Sequence, residues 1–177
     1  MNNRLTQKMR YYFELLRWNK PSGRLILLIP AGWSLWLTPT APPSLLVLGL
    51  IIVGGLLVSG AGCIANDIWD CQFDKKVART KERPLANGKV SLKNAWILLI
   101  LLLFLSLFTV LSIPTDSRSL CVQLASLSLP FILLYPSAKR WFKYPQLILS
   151  ICWGFSVLIP WAASESSLTD GISLAED

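Results

Sequence analysis

The stretch NDIWDCQFDKKVARTKERPLANGKVS, from Asn66 to Ser91, carries most of the information about the fold and function of this chain. It opens with three carboxylates, Asp67, Asp70 and Asp74, which are spaced three and then four residues apart. On a helix, this spacing places them on one face over two turns. Carboxylates crowded in this way resist ionising unless a cation lies between them, and Mg²⁺ prefers oxygen ligands. The spacing therefore predicts a divalent metal site.

The second half of the stretch supplies the opposite charge. Its basic residues include Lys75, Lys76, Arg79, Lys81 and Arg83. Metal ligands followed at once by guanidinium and ammonium groups are suited to a phosphorylated ligand, and a diphosphate in particular. The alternative is a solvated helix face beside a membrane, on which Lys75 and Arg79 neutralise the aspartates.

The composition indicates a membrane protein. Of the 177 residues, 53% are hydrophobic and only 15% are charged, which is too little polar surface for a soluble domain. Uncharged windows and proline breaks predict helices at 22–38, 44–66, 92–113, 119–137 and 145–163. The predicted fold is an all-α, multi-span transmembrane helical bundle of about five spans. Residues 1–177 form a single membrane domain in this interpretation, with a polar tail at 164–177.

The basic residues predict the orientation. Sixteen of the 17 Lys and Arg residues precede or open the first span, or lie between spans two and three or between spans four and five, and Arg118 lies opposite. The positive-inside rule then places the N-terminus and the aspartate motif in the cytoplasm. The expected location is a bacterial plasma membrane or an internal photosynthetic membrane. Because the cations alternate with spans, we do not expect nucleic acid as a partner.

Three motifs in order carry a family resemblance. The pattern NDxxDxxxD followed by RTxxRPLxxG resembles the first aspartate-rich motif of the intramembrane aromatic prenyltransferase (UbiA) superfamily. The segments 19–36 (NKPSGRLILLIPAGWSLW) and 134–163, which contains Tyr135-Pro136-x-x-Lys139-Arg140, are similar to the branch that prenylates 4-hydroxybenzoate in quinone biosynthesis. The resemblance implies a partial UbiA-type fold in membrane lipid.

The resemblance also implies an activity and a site. It implies transfer of a polyprenyl group from polyprenyl diphosphate to the ring of 4-hydroxybenzoate, in ubiquinone or plastoquinone biosynthesis, with Mg²⁺ as cofactor. Asp67, Asp70 and Asp74 would be catalytic and, with Asn66, would form the metal shell. The residues that would bind substrate are Arg24, Lys75, Arg79, Arg83, Lys139 and Arg140.

Some of these cations have alternative interpretations. Lys139 and Arg140 are also typical determinants of membrane topology. Arg24 lies just inside the first span, where an arginine is costly and usually has an anionic partner. It could meet the benzoate carboxylate or a phosphate, or it could extend its side chain to the membrane interface.

The sequence after Ala163, SESSLTDGISLAED, departs from the family pattern. Family members carry a second aspartate-rich motif and further helices there, and Asp170, Glu176 and Asp177 lack the spacing of that motif. We therefore expect the N-terminal part of a longer prenyltransferase, inactive alone. The alternatives are a truncated gene product, a non-enzymatic membrane subunit that keeps the fold, and a small transporter, although the chain shows no internal repeat.

The charge distribution generates a test of topology. In a cysteine-free background, single cysteines at Gly88 and Ser167 are expected to react with a membrane-impermeant thiol reagent from the cytoplasmic and the external side, respectively. Labelling of both positions from one side would contradict the five-span interpretation.

Overall fold

The computed structural model describes residues 2–20 and 22–168, and every regular element in them is a helix. The helices are α1 (Asn2–Leu15), α2 (Ser22–Trp36), α3 (Leu45–Asp74), α4 (Leu92–Leu111), α5 (Thr115–Ala138) and α6 (Pro145–Glu165). The predicted all-α fold is confirmed. The end of the predicted polar tail, including Asp170, Glu176 and Asp177, lies outside the described residues.

Four of the described helices, α3 to α6, are long and apolar enough to cross a membrane. The first predicted span forms as α2, but its 15 residues rise only about 22 Å. A bilayer core about 30 Å thick needs roughly 20 residues, so α2 is short for one crossing. It ends at Trp36, a little before Pro39, Pro42 and Pro43, which cannot continue a helix.

Two helices begin at serine caps. The Ser91 hydroxyl accepts a hydrogen bond from the Asn94 N–H at 3.2 Å and so forms the N-cap of α4. Ser44 caps α3 in the same way, through the Val47 N–H at 3.2 Å. Asn87 and Gly88 form a turn before α4, with Gly88 at φ +77°. These local signals place the polar segment 75–91 between two long helices.

The largest difference from the sequence prediction is the length of α3. The predicted helix ended at residue 66, where the apolar run stops, but α3 continues to Asp74 and so carries the whole aspartate motif. Charged residues can extend a helix beyond its apolar part when oppositely charged side chains neutralise them. The contacts of Asp67 and Asp74 described below supply those partners.

The helices pack around two apolar clusters. One joins the end of α1, the second half of α3, the segment 75–91 and the start of α4, with Leu15, Ile64 and Ala95 fully buried. The other joins α2, α5, α6 and the start of α3 around Leu35 and Cys121. Most other large apolar side chains face outward, as expected of helices in lipid.

The connections segregate to opposite ends of the bundle. The end that carries the last turns of α3 also holds the α1–α2 and α5–α6 connections. At the other end, the Thr40 N–H donates to Glu165 Oε1 at 3.1 Å, which ties the α2–α3 connection to the end of α6. The basic connections therefore gather around the aspartate motif.

Small residues on α3 allow close approach of its neighbours. A Cβ at Gly60 would lie 3.0 Å from a Leu16 methyl and 3.4 Å from a Leu102 methyl, whereas one at Gly49 would have open space. We therefore expect Gly60→Leu to destabilise the fold by about 1–3 kcal/mol through overpacking. Gly49→Leu is the matched control on the same helix. Thermal unfolding in detergent should show a lower Tm for the first variant only, and equal Tm values would contradict this packing.

Candidate functional site

The aspartate motif occupies the last turns of α3, where the helix geometry separates it into two adjacent stripes. At about 100° per residue, Asp67 and Asp74 lie about 20° apart around the helix, and Asn66 and Asp70 lie about 40° apart. The four side chains therefore share one side of α3. Their partners, however, come from different parts of the chain.

The first stripe is a buried cluster of paired charges. Arg17 Nη2 donates to Asp67 Oδ1 at 2.8 Å, and Arg83 Nη1 donates to the same oxygen at 3.2 Å. Arg83 Nη1 also donates to Asp74 Oδ2 at 2.7 Å. Asp67 and Asp74 are both buried, at 2% and 7% exposure. Two carboxylates and two guanidinium groups leave this stripe without net charge.

The second stripe is more accessible and faces the end of α5. Lys139 Nζ donates to Asn66 Oδ1 at 2.8 Å and lies 3.8 Å from Asp70 Oδ2. Arg140 Nη2 donates to Asp70 Oδ1 at 3.0 Å, and its guanidinium lies 4.3 Å from the centre of the Phe73 ring. The side chains of Lys139 and Arg140 remain about 40% exposed, so they can rearrange at little cost.

The segment 75–91 folds back to bring Arg83 to α3. The Thr80 hydroxyl is buried and donates to the Asp74 carbonyl at 3.2 Å, which turns the chain just after the helix. Leu85 and Val90 then enter the apolar cluster between α3 and α4. This anchoring explains why the pattern RTxxRPL follows the aspartates: it places Arg83 between Asp67 and Asp74.

Three other predicted site residues lie apart from the aspartates. Arg24 Nη2 lies 3.5 Å from the Leu16 carbonyl, and its guanidinium lies 5.3 Å from the centre of the Trp18 ring. These contacts favour an interfacial position for Arg24. Lys75 and Arg79 are exposed, and their side chains make no hydrogen bond or ion pair with the other described residues. A ligand role for these three residues stays a prediction.

Arg17 is the site residue that the sequence did not reveal. The sequence counted it only as one of several basic residues before the first span. The Trp18 N–H donates to the Phe13 carbonyl and the Arg17 N–H to the Glu14 carbonyl, both at 2.9 Å, which forms a Schellman-type end to α1. Arg17 takes the left-handed position, with φ +54°, where glycine is usual. No residue-type signal marks this turn.

Electrostatics favour a charged Arg17. Burial is the largest single effect and would lower the pKa of its guanidinium, but the attraction of Asp67, the hydrogen bond to Asp67 and the smaller effects of Cys63 and Asp74 together raise that pKa above the ordinary value. The Arg17 guanidinium therefore keeps its positive charge.

An apolar cavity of about 740 Å³ extends from this polar end through the bundle. Arg17, Asn66 and Tyr135 line it near the aspartates, and Leu50, Leu107 and Ile113 line it further in. The cavity has the volume and lining of a site for a molecule with a long apolar part and a polar head.

The donor chemistry of the second stripe fits Mg²⁺. The Asn66 amide oxygen and the Asp70 carboxylate are hard oxygen ligands on adjacent turns, and Mg²⁺ is commonly held by one or two such ligands plus waters and phosphate oxygens. Among residues 2–20 and 22–168, no three His, Cys, Asp or Glu side chains lie close enough to hold a metal ion. The predicted shell of Asn66, Asp67, Asp70 and Asp74 is thus divided here between two sets of partners, and it stays a prediction.

Comparison with known proteins identifies the family. Residues 27–175 match the model of the UbiA prenyltransferase family. The chain belongs to this family. The fold agrees: a UbiA homolog from Archaeoglobus fulgidus bound to GPP and Mg²⁺ superimposes with a TM-score of 0.74 over 93% of this chain and 58% of that one, at 19% identity. An apo UbiA homolog from Aeropyrum pernix K1 gives 0.66 over 94% and 55%, at 26% identity.

Two curated UbiA-family relatives are similar in sequence. A 4-hydroxybenzoate solanesyltransferase of Synechocystis is 46% identical over 156 residues, which is 88% of this chain and 52% of the relative. A 4-hydroxybenzoate octaprenyltransferase of Legionella pneumophila is 41% identical over 157 residues, covering 89% and 54%. The chain spans about half the length of these relatives. The family resemblance inferred from the three motifs is confirmed.

The role of Arg83 generates a prediction about stability. Arg83→Gln removes the cation shared by Asp67 and Asp74, so we expect it to lower the free energy of unfolding by about 1–3 kcal/mol, after allowance for its partial exposure. Lys81→Gln removes an exposed charge from the same segment and should change little. Thermal unfolding of both variants in detergent checks the expectation, and equal stabilities would show that Arg83 does not hold the segment.

Proposed function

We propose that this UbiA-family chain takes part in the Mg²⁺-dependent transfer of a polyprenyl group from polyprenyl diphosphate to the ring of 4-hydroxybenzoate, in ubiquinone or plastoquinone biosynthesis. The observation that carries the proposal is the position of Asn66 and Asp70, beside Lys139 and Arg140, at the polar end of an apolar cavity. The activities named for the relatives from Synechocystis and Legionella support this choice of substrates.

The proposed metal site is the second stripe of α3, which contains Asn66 and Asp70. Mg²⁺ bound there would withdraw charge from the diphosphate as it leaves. Asp70 supplies a charged oxygen and Asn66 a neutral one, one turn earlier on α3. Lys139 and Arg140 already neutralise this stripe, so their side chains are placed to turn toward the phosphate oxygens of a bound substrate.

The other cations would complete the diphosphate site. Arg17 lines the cavity and has its charge fixed by Asp67, whereas Lys75 and Arg79 are exposed beside the end of α3. Several positive groups around one leaving group stabilise the charge that develops as the allylic C–O bond breaks. Arg83 contributes to the proposed site because it holds the segment 75–91 in place.

The apolar body of the cavity would hold the isoprenoid tail and exclude water. When the C–O bond breaks, the diphosphate leaves with the electron pair and an allylic cation remains. The ring carbon ortho to the phenol hydroxyl attacks this cation, and the proton lost from that carbon restores the aromatic ring. Side chains such as Leu50, Leu103 and Leu107 would protect the cation from water.

The proposed location follows from the charges gathered around the motif. We propose that the chain lies in a bacterial plasma membrane or an internal photosynthetic membrane, with the aspartate end of the bundle in the cytoplasm, where a water-soluble aromatic acid has access.

The proposal predicts metal-dependent substrate binding. Purified chain in nanodiscs should bind a non-hydrolysable polyprenyl diphosphate analogue in Mg²⁺ and release it in EDTA. Asp70→Asn should weaken Mg²⁺-dependent binding at least tenfold, because a lost charged ligand is worth at least about 1.4 kcal/mol. Isothermal titration calorimetry measures both effects.

Asp116→Asn is the control, because Asp116 is an exposed carboxylate at the start of α5, at the opposite end of the bundle. Binding that ignores Mg²⁺, or that weakens equally in both variants, would contradict the proposed site. The acceptor is checked separately by binding: with Mg²⁺ and the analogue present, the chain in nanodiscs should bind 4-hydroxybenzoate, and calorimetry measures this binding.

A further inference from the structure

The three aspartates of the motif are not in equivalent surroundings, and the difference bears on what Asp67 does. Asp70 faces two long, partly exposed cations that can move aside. Asp67 is 2% exposed, and its Oδ1 already accepts from both Arg17 and Arg83. The two stripes of α3 therefore differ in how readily they could accept a metal ion.

A metal ion beside Asp67 would be unfavourable. It would meet two guanidinium groups, whose nitrogens lie 2.8 and 3.2 Å from Asp67 Oδ1. Like charges at this distance repel strongly where water is excluded. Moving the arginines away would break ion pairs whose other partners are buried, which is strongly destabilising.

The backbone around Arg17 favours the pair with Asp67. Arg17 occupies the left-handed position of the turn that ends α1, a conformation that is unfavourable for a non-glycine residue. The turn is held by its two backbone hydrogen bonds and by the edge-to-face contact of Phe13 with Trp18, with ring centres 5.6 Å apart. Strained conformations that the surrounding structure maintains are common at functional sites.

Arg17 also belongs to the cavity. Its side chain is 36% exposed, it lines the polar end of the cavity with Asn66, and only its Nη2 is used in the side-chain hydrogen bonds found among the described residues. A guanidinium group has five N–H donors, so Arg17 retains donors for a ligand while Asp67 holds it.

We infer that Asp67 is a positioning residue and not a metal ligand: it holds the Arg17 guanidinium at the polar end of the cavity, where Arg17 binds the diphosphate. Arg83 and Asp74 balance the remaining charge and tie the segment 75–91 to the same cluster. This inference rests on the proposed function. It limits the metal ligands within the aspartate motif to Asn66 and Asp70.

The test separates metal binding from diphosphate binding. The chain in nanodiscs is titrated with Mn²⁺, followed by electron paramagnetic resonance of the free ion, and with inorganic pyrophosphate without metal, followed by calorimetry. The variants are Asp67→Asn, Arg17→Gln, the double variant and Asp70→Asn. Thermal unfolding of each variant shows which of them are folded.

If Asp67 positions Arg17, Mn²⁺ affinity in Asp67→Asn stays within about twofold of the parent value, whereas Asp70→Asn loses at least tenfold. Pyrophosphate affinity falls about tenfold in both Asp67→Asn and Arg17→Gln, as expected for one charged hydrogen bond. It falls no further in the double variant, because both changes remove the same interaction.

The double variant keeps the test decisive even if Asp67→Asn alone folds poorly. It removes the carboxylate without leaving Arg17 unpaired, and Arg83 keeps Asp74 as its partner at 2.7 Å. Loss of Mn²⁺ affinity in the double variant but not in Arg17→Gln would make Asp67 a ligand and overturn the inference. Additive losses of pyrophosphate affinity would overturn it as well. A parent chain that binds neither probe would overturn the proposed function together with the inference.

Discussion

The buried charge cluster of Arg17, Asp67, Arg83 and Asp74 is the interaction on which the polar end of this bundle depends. Burying one carboxylate without a partner costs several kcal/mol, so α3 can extend through its aspartates only if cations arrive from elsewhere. They come from the turn after α1 and from the segment 75–91. The same pairs therefore lengthen α3, close the connection to α4 and fix the N-terminal helix against the bundle.

This arrangement separates the tasks of the two stripes on α3. Charges that neutralise one another in a buried place give fixed geometry, and charges that are partly exposed can exchange partners. Asp67 and Asp74 belong to the first kind, and Asn66 and Asp70 to the second. A diphosphate site needs both: groups that stay where they are, and groups free to meet a metal ion and a ligand.

Hydropathy and helix signals in the sequence predicted the five apolar helices, and most of their ends, to within a few residues. The method works because a helix in lipid must be apolar along its length and must satisfy its own backbone. It placed the end of α3 too early, because hydropathy does not take into account that arginine side chains pair with Asp67 and Asp74. It also counted α2 as a full span, although the prolines after Trp36 leave it only 15 residues.

The site was predictable as a set of residues but not as a set of contacts. Spacing by three and four placed the aspartates on one side of a helix, and the family resemblance added Arg83, Lys139 and Arg140. Spacing could not divide Asp67 from Asp70, because a rotation of about 60° around the helix decides which partner each one meets. Arg17 was missed for a related reason. It reaches Asp67 because the chain makes a left-handed turn after α1, and the residue types there do not predict such a turn.

The charge cluster also explains why apolar side chains could not take the place of these four charges at the polar end of the bundle. A buried ion pair often contributes no more stability than apolar side chains of the same volume, so stability alone does not require four charges here. An apolar replacement would nevertheless remove the cation at the polar end of the cavity and the support for its neighbours. The pairing of Arg17 with Asp67 thus has a physical reason in positioning: it holds a full positive charge beside an apolar cavity, where an unpaired arginine would turn outward to water.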